Sequence, residues 1–126
     1  MLAEERLVAF LGTSDATRAR AFYEGVLGLT CVDDHEFLIT FDCGPARVAL
    51  QKLDSPVTPP HGTALGWHVN DLTSVMKALM SRGVVFERFE ALDQDEMGVW
   101  RPGGPTTGVA WFKDPDGNLL SLSSAG

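Results

Sequence analysis

Val109-Ala-Trp-Phe-Lys-Asp-Pro-Asp-Gly-Asn-Leu-Leu-Ser-Leu-Ser123 is the most strongly patterned segment of the chain. Two short runs of β-forming residues flank Asp114-Pro115-Asp116-Gly117-Asn118, where proline fixes one φ and glycine accepts a positive one. The pattern predicts a hairpin.

Working outward, the 126 residues suffice for one domain that buries roughly two-thirds of its unfolded surface. An apolar share of 44% and a charged share of 21% predict an ordinary globular protein needing no disulfide or structural metal. The net charge of −7 argues against nucleic acid, which would meet a repulsive field, and leaves a neutral or cationic ligand easier to hold. The apolar run Leu7 to Leu11 is too short for a signal-peptide core, and no run approaches the ~20 apolar residues of a membrane span. A cytoplasmic location and no membrane partner are expected. Cys31 and Cys43 show no CxxC or Cys/His pairing, so they read as packing residues of a reducing compartment.

Read in order, Arg6 to Leu11 is a β run, and Asp15 is a good helix N-cap after Gly12-Thr13-Ser14. A helix to about Leu27 places Ala19, Phe22, Val26 and Leu27 on one face, and Gly28 stops it. Leu29 to Asp33, Phe37 to Asp42 and Arg47 to Leu53 follow as β runs. Prolines 56, 59 and 60 then mark a linker over 54–62. The opening pattern returns with a β run from Thr63 to Val69, a cap at Asp71, and a helical stripe of Leu72, Val75, Met76, Leu79 and Met80 ending at Gly83. Val84 to Phe89 is β-like again.

A strand, capped helix, glycine stop and strand seldom recur by chance, so the repetition predicts two βαβββ modules, about 5–54 and 62–124, in one domain spanning 1–126. Between Glu90 and Thr107 the second module carries a Gly/Pro-rich insertion, either a mobile surface loop or a lid.

Asp15-Ala-Thr-Arg-Ala-Arg-Ala-Phe-Tyr23, continuing to Leu27-Gly28-Leu29, resembles the first helix of the vicinal oxygen chelate superfamily, which includes glyoxalase I, extradiol dioxygenases and bleomycin resistance proteins. Leu65-Gly-Trp-His-Val-Asn-Asp-Leu72 is similar to the family's fifth strand entering its second helix, and Asp114-Pro-Asp-Gly-Asn118 to its last hairpin. The resemblance implies a glyoxalase-like α+β fold in which two modules form a cupped, curved mixed sheet with helices outside. It also implies a ligand in the cup, in many members with a divalent metal acting as Lewis acid, and commonly a homodimer.

The positions that hold the metal in such members fall here on Val8, on Leu50 or Gln51, on Ala64 and on Ser121. One amide and one hydroxyl cannot offset the dehydration of a divalent ion, so no metal or other cofactor is expected.

By strand alternation Val8 and Phe10, then Ala64, Gly66 and His68, then Leu119, Ser121 and Ser123 line the cup, with Leu65 and Trp67 toward the helices. That surface suits a ligand with a flat or greasy body and a few hydrogen-bonding groups. His68 reads either as a rim histidine or as a general base or ligand contact, whereas His35 and His61 read as surface residues. Trp111 is either a stacking platform or core, Trp100 a contact for ligand or for a second copy, and Arg101 either a partner for an anion or simply solvated. Asp93, Asp95 and Glu96 are a soluble loop face or an attractor for a cationic drug. No Ser-His-Asp or Cys-His pairing, phosphate loop or nicotinamide fingerprint is present.

The resulting expectation is a metal-independent small-molecule-binding protein, with antibiotic sequestration or resistance as a role. The alternative is an enzyme, either a metal-dependent lyase, isomerase or dioxygenase of the glyoxalase I or extradiol dioxygenase kind, or a metal-free catalyst using His68 or Gln51.

Overall fold

The fold is taken from a computed structural model, which describes residues 1–125. The chain forms two compact units, Met1–Pro59 with Pro115–Gly117, and Pro60–Asp114 with the residues from Asn118 on.

In the first unit β1 (Val8–Thr13), β2 (Thr30–Asp34), β3 (Leu38–Cys43) and β4 (Ala46–Lys52) form a mixed sheet in the order β1-β4-β3-β2. β1 runs parallel to β4, and the other neighbours are antiparallel. Helix α1 (Ala16–Arg20) starts at Asp15, whose carboxylate accepts the Arg18 N–H at 3.1 Å, as the sequence predicts for the cap. It then widens into a π-helix over Ala21–Val26, marked by the Leu27 N–H donating to the Phe22 carbonyl at 2.9 Å. Hydrophobic periodicity does not signal the change. In this winding Tyr23, rather than Phe22, is fully buried, stacked on Phe41 of β3 with ring centroids 5.7 Å apart. Ala19, Leu11, Ile39, Val48 and Leu50 complete that core.

The second unit repeats the plan. β5 (Leu65–His68), β6 (Thr107–Lys113) and β7 (Leu119–Ala125) are ordered β5-β7-β6, with β5 parallel to β7 and β6 antiparallel to it. Helix α2 (Leu72–Ser81) is capped by Asp71, which accepts from Ser74 at both backbone and hydroxyl. Those two bonds stabilise its charged form and hold the Asp71 carboxyl below the ordinary range. Leu72, Met76 and Leu79 are buried, as are Ala110, Phe112, Leu120 and Leu122 of the sheet, whereas Met80, placed by the sequence on the same stripe, is 41% exposed.

The opening stretch forms the expected hairpin between β6 and β7. Its turn is closed by a buried pair: Asp114 accepts from the Asn118 backbone N–H and side-chain amide, both at 2.9 Å, and Gly117 takes φ +87°. At the tip, Asp116 accepts from the Ser14 N–H at 3.0 Å, beside the start of α1.

One expected element differs. Val84 to Phe89 does not form a ladder; it lies along the outer edge of β6, where the Glu87 N–H donates to the Trp111 carbonyl at 2.7 Å. The edge is shared, because Trp100 of the insertion pairs with Val109 through two bonds of 2.9 Å. The insertion therefore takes over part of the second strand's place. Among the described residues no helix is long and apolar enough to cross a membrane.

Candidate functional site

Strand register sorts the residues of each sheet onto two faces, since directly paired residues point the same way. In the first unit Leu11 pairs with Leu50 and Gly12 with Gln51, so Leu50 is in the core beneath α1. Gln51 shares the opposite face with Val8 and Phe10, which decides between the two candidates left open on β4. Phe10 is 56% exposed there.

In the second unit Gly66 pairs with Ser121, which pairs with Trp111, and His68 pairs with Ser123, which pairs with Val109. Ala64, one strand period before Gly66, donates its N–H to Leu119 at 2.8 Å. Ala64, Gly66, His68, Trp111 and Ser121 thus share the face turned away from α2. Leu65 and Trp67 pair with buried Leu120 and Leu122 on the helix side.

On that open face an aromatic wall is assembled. The Trp111 indole meets Phe89 edge-on, with centroids 5.4 Å apart and planes at 90°, and Trp100 at 6.1 Å with planes inclined by 33°. The Trp111 Nε1–H donates to Thr63 Oγ at 3.1 Å, which fixes the rotation of the ring. All three rings are part-exposed, so they offer apolar area beside the hydroxyls of Ser121 and Ser123. His68 is exposed at the end of β5, its Nδ1 3.4 Å from Ser123 Oγ.

Trp100 belongs to this wall, but Arg101, its neighbour, does not. The Arg101 guanidinium donates to the Pro105 and Thr107 carbonyls at 3.2 Å and pairs with Asp95 at 3.6 Å. Asp95 in turn accepts the N–H groups of Met97 and Val99, both at 2.9 Å, so its carboxylate organises the loop itself. Phe89, Thr63 and Gln94 were not singled out by sequence. Phe86 packs on Phe112 on the helix side while Phe89, three residues on, meets Trp111 on the other, as alternation along an extended segment requires of residues an odd number apart.

A surface cleft of about 440 Å³ on the first unit is lined by Arg20, Glu24, Asp34 and Lys52, but these charges satisfy one another.

Two strand-helix-sheet units, βαβββ in the first and βαββ with a ring-walled open face in the second, define a protein of α+β class. The chain belongs to the Glyoxalase/Bleomycin resistance protein/Dioxygenase superfamily, whose family model matches residues 6–122. Solved structures agree in fold. A lactoylglutathione lyase from Agrobacterium tumefaciens superposes with TM-score 0.72 at 19% identity, covering 97% of this chain and 94% of that one. A superfamily member from Sphaerobacter thermophilus DSM 20745 gives TM-score 0.70 at 24% identity, covering 99% and 100%. An integron cassette protein from the mobile metagenome of Halifax Harbour Sewage Outfall gives 0.72 at 18%, covering 97% and 99%. No curated protein shows a significant sequence match.

The divalent metal that the family implies does not fit the residues present. By the resemblance its positions fall on Val8 and Gln51 in the first unit and on Ala64 and Ser121 in the second, none of which carries a carboxylate or an imidazole, and among the described residues no three His, Cys, Asp or Glu side chains come together to hold an ion. Neither the Gln51 amide nor the Ser121 hydroxyl carries the negative charge with which such an ion is held.

Proposed function

We propose that this chain is a single glyoxalase-like domain, of modules about 5–54 and 62–124, acting as a metal-independent small-molecule-binding protein of the glyoxalase/bleomycin resistance type. Its ligand is a neutral or cationic organic compound with a flat ring system, held against Trp111 and Trp100, and sequestration of an antibiotic is the role this suits. The observation that carries the reading is the Phe89–Trp111–Trp100 wall, on the face where Ala64 and Ser121 stand in place of chelating residues. Rings offset or edge-on in this way attract further aromatic surface, and a cation over an indole gains from the ring quadrupole. The net charge of −7 favours approach of a cation.

The proposal includes a homodimer in the cytoplasm, for which support comes from the exposed apolar side chains of Val8 and Phe10 on β1, the outer strand of its sheet. Light scattering reads the oligomeric state.

The functional test is a tryptophan-fluorescence titration of tag-free protein with ethidium and with bleomycin, with and without a chelator, alongside elemental analysis. Saturable quenching indifferent to chelator is expected. Stoichiometric nickel, zinc, iron or manganese, together with chelator-sensitive binding, would instead establish the lyase, isomerase or dioxygenase reading.

A further inference from the structure

The two rings that flank Trp111 come from separate segments, and one side chain joins those segments. Gln94 Oε1 accepts the Phe89 N–H at 2.7 Å, while its Nε2 donates to the Glu87 carbonyl at 3.1 Å and to the Gly98 carbonyl at 2.7 Å. Glu87 to Phe89 is the segment that failed to become a strand, and Gly98 leads into Trp100 through buried Val99. The carboxamide thus pairs with Phe89 and Glu87 as a neighbouring strand's peptide group would, beside the bond from the Glu87 N–H to the Trp111 carbonyl of β6. It also has no hydrogen-bonding capacity to spare on its nitrogen, since both N–H groups are engaged.

We propose that Gln94 is the positioning residue of the aromatic wall, setting the distance between Phe89 and Trp100 and through it the width of ring system the face accepts. The specificity half of this inference rests on the binding function proposed above; the positioning half does not. No other neutral side chain of similar length offers one acceptor and two donors in a plane. Gln94→Met keeps the volume and loses all three bonds. Gln94→Glu keeps an acceptor for Phe89 but sets a second oxygen against the Glu87 and Gly98 carbonyls.

The test reads the far-ultraviolet circular dichroism of ligand-free protein, in which the strong transitions of two indoles 6.1 Å apart and inclined by 33° couple to give an exciton couplet. Both Gln94 variants are expected to lose most of that signal and to bind ethidium about tenfold more weakly, the scale of one aromatic contact. Met76→Ala, a core truncation beneath α2, serves as the comparison: it should lower the melting temperature and leave the signal in place. Wild-type exciton signals in both Gln94 variants would overturn the proposal. Should the variants not fold, hydrogen exchange on the unaltered protein decides: the Phe89 amide is expected to be protected, and exchange at the rate of an unstructured chain overturns the proposal. If ethidium fails to bind the unaltered protein, the binding function falls while the dichroism still judges Gln94.

Discussion

Gly66 and Ser121 face each other across the β5–β7 pair so closely that a Cβ built on Gly66 would lie 2.2 Å from Ser121 Oγ and 3.0 Å from its carbonyl oxygen. In the family this part of β7 carries a metal-binding carboxylate by resemblance; here a short side chain occupies the space that a glycine leaves open.

Gly66→Ala should therefore cost about 1–3 kcal/mol of stability, the usual range for overpacking. Gly66→Ala combined with Ser121→Ala should recover part of that loss, because the oxygen at 2.2 Å is gone while the carbonyl contact stays. Urea unfolding of the two single variants and the double variant measures the coupling, and strictly additive losses would contradict the contact.

Tyr23 is the largest fully buried side chain of the first unit, packed edge-on to Phe22 at 5.3 Å and stacked on Phe41. Tyr23→Ala should cost about 3–5 kcal/mol, as other large aromatic truncations do. A loss below about 1 kcal/mol in chemical denaturation would mean the π-helical winding does not seat this ring as described.

What the sequence could disclose of this fold follows from which forces are local. Asp15 and Asp71 advertise their helices because capping needs only the next three residues, and Asp114 to Asn118 advertises the hairpin because the turn closes on itself. Alternation placed Gly66, His68 and Ser121 on one face since each lies in an unbroken strand. It also sets Phe86 and Phe89 on opposite faces, but it could not say which of them meets Trp111, because Val84 to Phe89 forms no ladder that would fix its register against β6. Gln94 was invisible for a different reason: a glutamine in a polar loop carries no signature of the bonds its carboxamide makes to the backbone of Glu87, Phe89 and Gly98. The π-helix was equally silent, since Ala19 and Tyr23 keep a spacing that an α-helix also satisfies.

Trp100 and Trp111 should contribute unequally to ligand capture. Trp111 is anchored in β6 and by Thr63, whereas Trp100 stands on the insertion, paired by its backbone with Val109 and joined through Gly98 to Gln94. Trp111→Ala removes the central ring and should abolish measurable ethidium binding, and Trp100→Ala should weaken it about tenfold. Thr63→Val leaves the ring but frees its rotation, so a smaller loss is expected with little change in melting temperature. Equal affinities across all three variants in a fluorescence titration would remove the wall from the binding surface.

Asp34 at the end of β2 is held by two cations, Lys52 Nζ at 2.7 Å and Arg20 Nη1 at 2.8 Å, and these bonds keep its carboxyl below the ordinary value of 3.8. A carboxyl whose folded pKa lies below its unfolded one binds protons more readily in the unfolded chain, so acid favours unfolding. The stabilisation is complete above the unfolded value and disappears as pH falls through the folded one. Its size should be modest, since the groups are partly exposed to water and screened by salt. The melting temperature of Asp34→Asn should accordingly sit below that of the unaltered protein by a constant margin from about pH 7 to about pH 5, with the margin narrowing only below the ordinary carboxylate value. High salt should narrow it at every pH. Calorimetry across that range checks the sign: a margin that grows on acidification, or one already lost between pH 7 and 5, would show that Asp34 is not the carboxylate these two cations stabilise.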